Sequence, residues 1–232
     1  MTNNVEPSNL FSYSFSLDCL IFAFVEGKMK VLLIKRNVEP FKNYWAIPGD
    51  LILPDEDLGV AAERILFELT NISGVALHQS QTFGHPKRHP QGRVITSAYF
   101  ALVRINEVQV KASSWANDIK WVDLETIDDL AFDHNLILDS TVEILKQKLI
   151  NEPVAFDLLP QKFTLNELHQ LYEFVYNTEL DKANFRKRLK HIPLIQLSEK
   201  QIGVKHRPAS LFKFDFEAYN KMVINSFFNF KI

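Results

Sequence analysis

The sequence predicts an α+β protein in two parts: a mixed β-sheet sandwiched by helices, then a small helix-turn-helix with a β-hairpin wing. Three observations predict it. Residues 14–150 alternate β-branched and aromatic strands with amphipathic helical stretches, a mixture that buries a sheet between helix layers. Residues 151–162 hold Pro153 and Pro160 and lack a hydrophobic period, which marks a boundary. Beyond it, two helical stretches joined by a short turn precede a hairpin.

Taken in order, Ser14–Val25 and Lys30–Lys35 read as strands joined by a turn at Glu26-Gly27-Lys28. Arg36–Tyr44 is a polar loop containing Pro40. Trp45–Pro48 leads towards a helix over Leu58–Thr70. There Leu58, Ala61, Ala62, Ile65, Leu66 and Leu69 form an apolar stripe, and Asp55 or Asp57 supplies the cap. Phe83–Gly92 is a loop rich in His, Pro and cations. Val94–Arg104 is a β-branched and aromatic strand, and Ile119–Val122 a shorter one. Asp133 caps a helix that runs to about Ile150.

In the second part Thr164 caps a helix reaching about Asn177, with Glu167 completing a capping box. After the turn Thr178–Asp181, a second helix covers Lys182–Ile192. Ile195–Leu197 and Ser210–Phe214 form the hairpin. The domain extents that follow are 1–155 and 156–232. No internal repeat or low-complexity segment interrupts them.

Composition bounds the class. At 232 residues with 47% apolar and 23% charged side chains, the chain suits a soluble globular protein of one large or two small domains. A net charge of -2 carries no global signature of nucleic-acid binding, so any basic surface is local. The single cysteine, Cys19, excludes an intrachain disulfide and fits a reducing compartment; within its apolar run it reads as an inert buried thiol. The polar N-terminus has no signal-peptide core, and apolar runs such as Cys19–Val25 are too short to cross a bilayer. The expectation is a cytoplasmic protein with no membrane partner.

The second helix of the second part separates by angle. Phe185, Leu189 and Ile192 fall on one side and face the core. Lys187 and Lys190 point away, flanked by Asn184 and Arg186, while Lys205, His206 and Arg207 add positive charge in the hairpin turn. From Lys182 to Lys213 the only acidic residue is Glu199. Such a face has the residue types that meet phosphates and base edges. Arg186, Lys187, Lys190, Lys205 and Arg207 are the expected phosphate contacts, and Asn184 or Lys187 the expected base readers. A plain solvated basic face is the competing explanation.

The stretch Trp45–Ile72, WAIPGDLILPDEDLGVAAERILFELTNI, carries Glu56, Arg64 and Glu68 at a spacing that resembles a Nudix box. Arg64 and Glu68 are also four apart, the spacing of a surface ion pair on a helix. The resemblance places two carboxylates of an active box at Ile65 and Leu69, and both box glycines are replaced, at Asp50 and Asn71. Nudix enzymes use clustered carboxylates to hold Mg²⁺ or Mn²⁺ against a diphosphate. Two aliphatics one helical turn apart put hydrocarbon where such an ion needs oxygen. Glu56 and Glu68 alone would make a poor metal site, so neither a cofactor nor catalytic residues are expected. His85 and His89 lie in a loop without cysteine or a helical frame, which argues against zinc. His134 reads as a hydrogen-bonding helix-start residue.

Several stretches together resemble the NrtR-type, Nudix-related transcriptional regulators, including relatives that control pentose utilisation. They are KRNVEPFKNYWAIPGDLI, DEDLGVAAERILFELTNI, RHPQGRVITSAYFAL, LAFDHNLIL, LLPQKFTLNELHQLYE, NFRKRL and KHRPASLFKF, and they cover most of residues 12–215. The resemblance implies an N-terminal Nudix-like sensor, a C-terminal winged helix, and a homodimer on palindromic operator DNA. Some members sense ADP-ribose, and others respond to sugars or their derivatives. The family's RDPRGR stretch reads RHPQGR here, with His89 and Gln91 replacing an acid and a cation. The expected effector contacts are Arg36, Phe41, Glu56, Arg64, Glu68, Arg88 and Arg93.

Two other classes stay open at this point. One is an active Nudix hydrolase whose Mg²⁺ site combines Glu56, Glu68 and a carboxylate such as Glu63. The other is a protein-interaction module whose basic helix meets an acidic partner. The aromatic tail, Phe227, Phe228 and Phe230, is expected to pack on the second domain, or alternatively to form a dimer contact.

Overall fold

The computed structural model describes residues 13–112, 116–203 and 207–225. The chain divides into two compact units. Among the described residues, the first holds those up to Phe22, Val31–Ala101 and Asn106–Val142; the second holds Ala23–Lys30, Leu102–Ile105 and the chain from Glu143 onward.

The first unit is built on a mixed sheet. β1 (Ser14–Val25) and β2 (Lys28–Arg36) are nearly continuous apolar runs, because both faces of central strands are covered. The sheet runs β3 (Trp45–Ala46), β2, β1, β6 (Val94–Leu102), β5 (Leu77–Phe83). β4 (Gly49–Leu51) pairs antiparallel with β1, setting Gly49 opposite Asp18, and β7 (Ala116–Asp123) pairs with β2. β5 escapes the sequence pattern because LHQSQTF is polar and only Phe83 is buried. The expected strand Val94–Arg104 stops at Leu102.

α1 (Leu58–Thr70) forms where the apolar stripe predicts. Asp57 caps it by accepting from the Gly59 and Val60 N–H groups, and Asn71 closes it in a left-handed conformation. Its stripe is sealed in the core: Ile65 is 0% and Leu69 5% exposed. The buried Cys19 thiol points at the Ala62 carbonyl, and burial pushes its pKa up. α2 (His134–Asn151) follows Asp133 as expected, but the Asp133 carboxylate is bound by Arg88 rather than used as a cap.

In the second unit, residues 151–162, read as a boundary without hydrophobic period, carry a short helix of their own. It is α3 (Ala155–Leu158), in which Ala155, Phe156 and Leu158 are buried. Arg104 holds it by donating to the Leu159 and Phe156 carbonyls. β8 (Phe163–Thr164) pairs with β10 (Ser210–Phe214), which pairs with β9 (Leu194–Lys200), so the wing is a three-stranded sheet. α4 (Leu165–Tyr176) carries the full capping box of Thr164 and Glu167. α5 (Lys182–Arg188) is shorter than expected and passes into a 3₁₀ turn at Leu189–His191. Phe185, Leu189 and Ile192 are buried at 5–6% exposure, as the angular pattern requires. α6 (Phe216–Asn225), which periodicity did not single out, follows the wing. The aromatic tail lies outside the described residues.

Candidate functional site

The first unit holds a cavity of about 450 Å³. β1 contributes Ser14, Ser16 and Asp18; the end of β2 and the loop after it contribute Arg36, Val38, Glu39 and Pro40. β4 lines it with Gly49, Asp50 and Leu51. The loop between β5 and β6 supplies Arg88, His89 and Gln91–Arg93, and the start of α2 supplies Phe132 and His134.

Its floor is a buried polar network. Asp18 is 5% exposed although it belongs to a core strand. Its Oδ2 accepts from the Thr96 hydroxyl at 2.7 Å and lies 3.6 Å from Arg88 Nη2. Its Oδ1 lies 3.6 Å from His134 Nε2. Burial raises the Asp18 pKa to about 6, against the hydrogen bond from Thr96 and the charge of Arg88. His134 Nδ1 accepts the Ile47 N–H at 2.9 Å, which places the ring proton on Nε2, facing Asp18. Burial lowers the His134 pKa to about 3, so the ring is neutral. Arg88 donates to both oxygens of Asp133, from Nε at 2.9 Å and Nη2 at 2.8 Å. Gly49 closes against this floor: a Cβ there would lie 2.2 Å from Asp18 Oδ1 and 2.8 Å from the Leu17 carbonyl oxygen.

One wall is aromatic. The Phe132 ring stacks on His89 at 5.0 Å and 16°, and the Arg36 guanidinium lies 4.9 Å from its centroid. Phe41 packs on Phe132 at 4.7 Å. Both phenylalanines have left-handed backbones, φ 64° at Phe41 and 56° at Phe132, an unusual conformation for a bulky residue. Burial is the main cause that lowers the His89 pKa.

The expected effector contacts therefore split. Arg36, Arg88 and Arg93 line the cavity. Phe41 stands one ring behind it. Glu56, Arg64 and Glu68 are not among its lining residues and form a cluster of their own. Arg64 donates to Glu56, to Glu68 Oε2 at 3.1 Å, and to the carbonyl of Leu51 at 3.0 Å. The bond from Arg64 and that from the Leu53 N–H hold the Glu56 pKa below the usual carboxylate range. Sequence reasoning missed Asp18, Phe132 and the cavity position of His134. The charge of Asp18 inside the apolar run Leu17–Val25 was the available signal.

In the second unit Asn184, Arg186, Lys187 and Lys190 are all exposed, opposite the buried Phe185 and Leu189. Arg207 is exposed, and Lys205 lies outside the described residues. Glu199, the acid of the wing, is paired with Lys162 at 2.6 Å.

Two family models match successive stretches of the chain. The model of the NUDIX domain matches residues 17–141, and that of the NrtR DNA-binding winged helix domain matches residues 155–214. The chain is 33% identical over 209 residues to an ADPR responsive transcriptional repressor from Acinetobacter baylyi, covering 88% of this chain and 83% of that protein. It is similar to the crystal structure of Shewanella oneidensis NrtR complexed with a 27mer DNA, with a TM-score of 0.71 at 29% identity, covering 87% of this chain and 93% of that one. It is also similar to the NUDIX domain of that NrtR complexed with ADP ribose, with a TM-score of 0.55 at 28% identity, covering 61% of this chain and 94% of that one. A Nudix domain followed by an NrtR-type DNA-binding winged helix places this chain in the NrtR family of Nudix-related transcriptional regulators.

Proposed function

We propose that the chain is an effector-controlled regulator whose Nudix-domain cavity takes the effector and whose α5 face meets operator DNA. It would act as a cytoplasmic homodimer on a two-fold operator, with residues 1–155 sensing and 156–232 binding DNA. The relative from Acinetobacter baylyi is a repressor, which supports repression as the sign of control.

The charge balance of the cavity carries the effector reading. Asp18, Glu39 and Asp50 line it together with Arg36, Arg88 and Arg93, so the lining sums to zero. Arg88 is already held by Asp133 and Asp18, and Arg36 sits in the field of Asp50, Glu39 and Asp18. A diphosphate needs cations that are not already compensated. Acids and guanidiniums in equal number beside an aromatic wall suit the hydroxyls and apolar face of a neutral sugar. This balance supports a pentose or a simple derivative as the effector. The responsiveness of the Acinetobacter relative and the ADP ribose complex favour a second reading, ADP-ribose itself.

The residues of the Nudix-box helix and its Arg64 cluster argue for sensing over hydrolysis. Ile65 and Leu69 are buried hydrocarbon, and Glu56 and Glu68 are engaged by Arg64. Among the described residues no group of three or more His, Cys, Asp or Glu side chains is placed to hold an ion. The residues present do not fit a divalent metal.

Thermal-shift titration with arabinose, xylose, pentose phosphates and ADP-ribose, repeated with DNA from upstream of the protein's own gene, tests the assignment. A pentose that raises the melting temperature and changes DNA retention supports the first reading. Stabilisation by ADP-ribose alone establishes the second. Mg²⁺-dependent release of AMP from ADP-ribose, without any hold on DNA, overturns both. On the DNA side, Lys187→Ala should weaken binding and reduce the salt slope by about one unit.

A further inference from the structure

We propose that His169 is a positioning residue for DNA recognition: with Glu173 it clamps both backbone polar groups of Leu180 and so sets how α5 leaves the turn. The proposal rests on the reading that α5 meets DNA.

Leu180 lies just before Asp181, the residue that caps α5 by accepting the Asn184 N–H at 2.8 Å. The Leu180 N–H donates to Glu173 Oε1 at 3.1 Å, and its carbonyl lies 2.8 Å from His169 Nε2. The other ring nitrogen, Nδ1, lies 3.4 Å from Glu173 Oε2. Both peptide groups flanking the Leu180 Cα are thus held by side chains of α4. The grip is rigid because His169 is only 4% exposed and its ring meets Phe185 edge-on, at 5.1 Å and 84°.

The short length of α5 makes such a clamp consequential. A helix of seven residues does not hold its own direction. Its apolar anchors, Phe185 and Leu189, lie at its middle and end, so they leave the orientation of its first turn open. Asn184 projects from that first turn, and Lys187 follows in the next, so its direction depends on how the first turn is set. Base-edge contacts depend on orientation far more than phosphate contacts do, because they need a donor aimed within a groove. Loosening the clamp should therefore weaken sequence-specific binding and spare non-specific binding.

The test uses the full chain and a duplex that the wild type enriches from a random DNA pool, against an unrelated duplex of equal length. Active fraction is measured alongside by stoichiometric titration. His169→Ala should lower affinity for the enriched duplex about tenfold and leave the unrelated duplex within about twofold. His169→Gln, whose amide can still donate to the Leu180 carbonyl, should recover most of the loss. Equal falls on both duplexes, or a lower active fraction with unchanged dissociation constants, overturn the clamp. A loss in Lys187→Ala beside an unaffected His169→Ala overturns the clamp alone. An unaffected Lys187→Ala, or a wild type that enriches no duplex, overturns the α5 reading and the clamp with it.

Discussion

Arg88 and Asp133 meet through two parallel hydrogen bonds although 45 residues separate them in the chain. The pair draws the loop between β5 and β6 onto the first turn of α2. It also leaves the Arg88 guanidinium 3.6 Å from Asp18, so two acids share one buried cation.

Asp133→Ala removes the main partner of that cation. The variant should lose about 3 kcal/mol of stability, because a buried charge without its partner is costly. Denaturant titration measures the loss. Arg88→Met combined with Asp133→Leu should recover only part of it, because the Asp18 carboxyl then stays buried without that cation. An unchanged midpoint in Asp133→Ala shows that the pair is not structural.

The pKa shifts of Asp18 and His134 oppose each other in their effect on stability. Asp18 rises from an ordinary value of 3.8 to about 6, so its contribution is complete below 3.8 and is lost as pH climbs through about 6. His134 falls from 6.5 to about 3, so its contribution is complete above 6.5 and is lost as pH drops through about 3. Between about pH 4 and 6 the two slopes offset each other. Asp18→Asn should expose a stability that rises with pH across that window, and His134→Gln one that falls. Chemical denaturation at several pH values reads both slopes, and identical slopes in the two variants contradict the assignment.

Gly49→Ala places a methyl 2.2 Å from Asp18 Oδ1 and 2.8 Å from the Leu17 carbonyl oxygen. The side chain can shift, but the strand backbone cannot without breaking the β1–β4 register. The expected cost is about 2 kcal/mol, with loss of whatever ligand the wild type binds. Adding Asp18→Ala should restore only part of the stability, because the clash with the carbonyl remains. Full recovery by the double variant contradicts that account.

Thr164→Ala deletes the hydroxyl that accepts the Glu167 N–H at 3.2 Å. The expected destabilisation is about 1 kcal/mol, as for other helix caps. Because the cap starts α4, amide exchange should quicken there while α1 keeps its protection. Equal change in both helices points to a global effect.

Local pattern was enough for much of this architecture. The paired strands at the start, α1, the Thr164–Glu167 capping box and the buried side of α5 all follow from residues within a few positions of one another, while the choice of Asp57 over Asp55 as the α1 cap came from the structure. The elements that escaped are the ones whose pattern is weak or short: two-residue β3 and β8, three-residue β4, polar β5, four-residue α3, and α6.

The cavity belongs to a different order of information. Asp18, Thr96 and His134 come from distant points of the chain, and no periodicity relates them. Antiparallel pairing of β4 with β1 set Gly49 against Asp18, and the turn of α2 brought His134 opposite that carboxylate. The replaced carboxylates of the box could be read at Ile65 and Leu69, but their sealing in the core appears only once the sheet covers α1. Hydrophobic period and caps act over one or two turns of chain. Charge pairing in a buried site acts across space, and the folded backbone selects which partners meet.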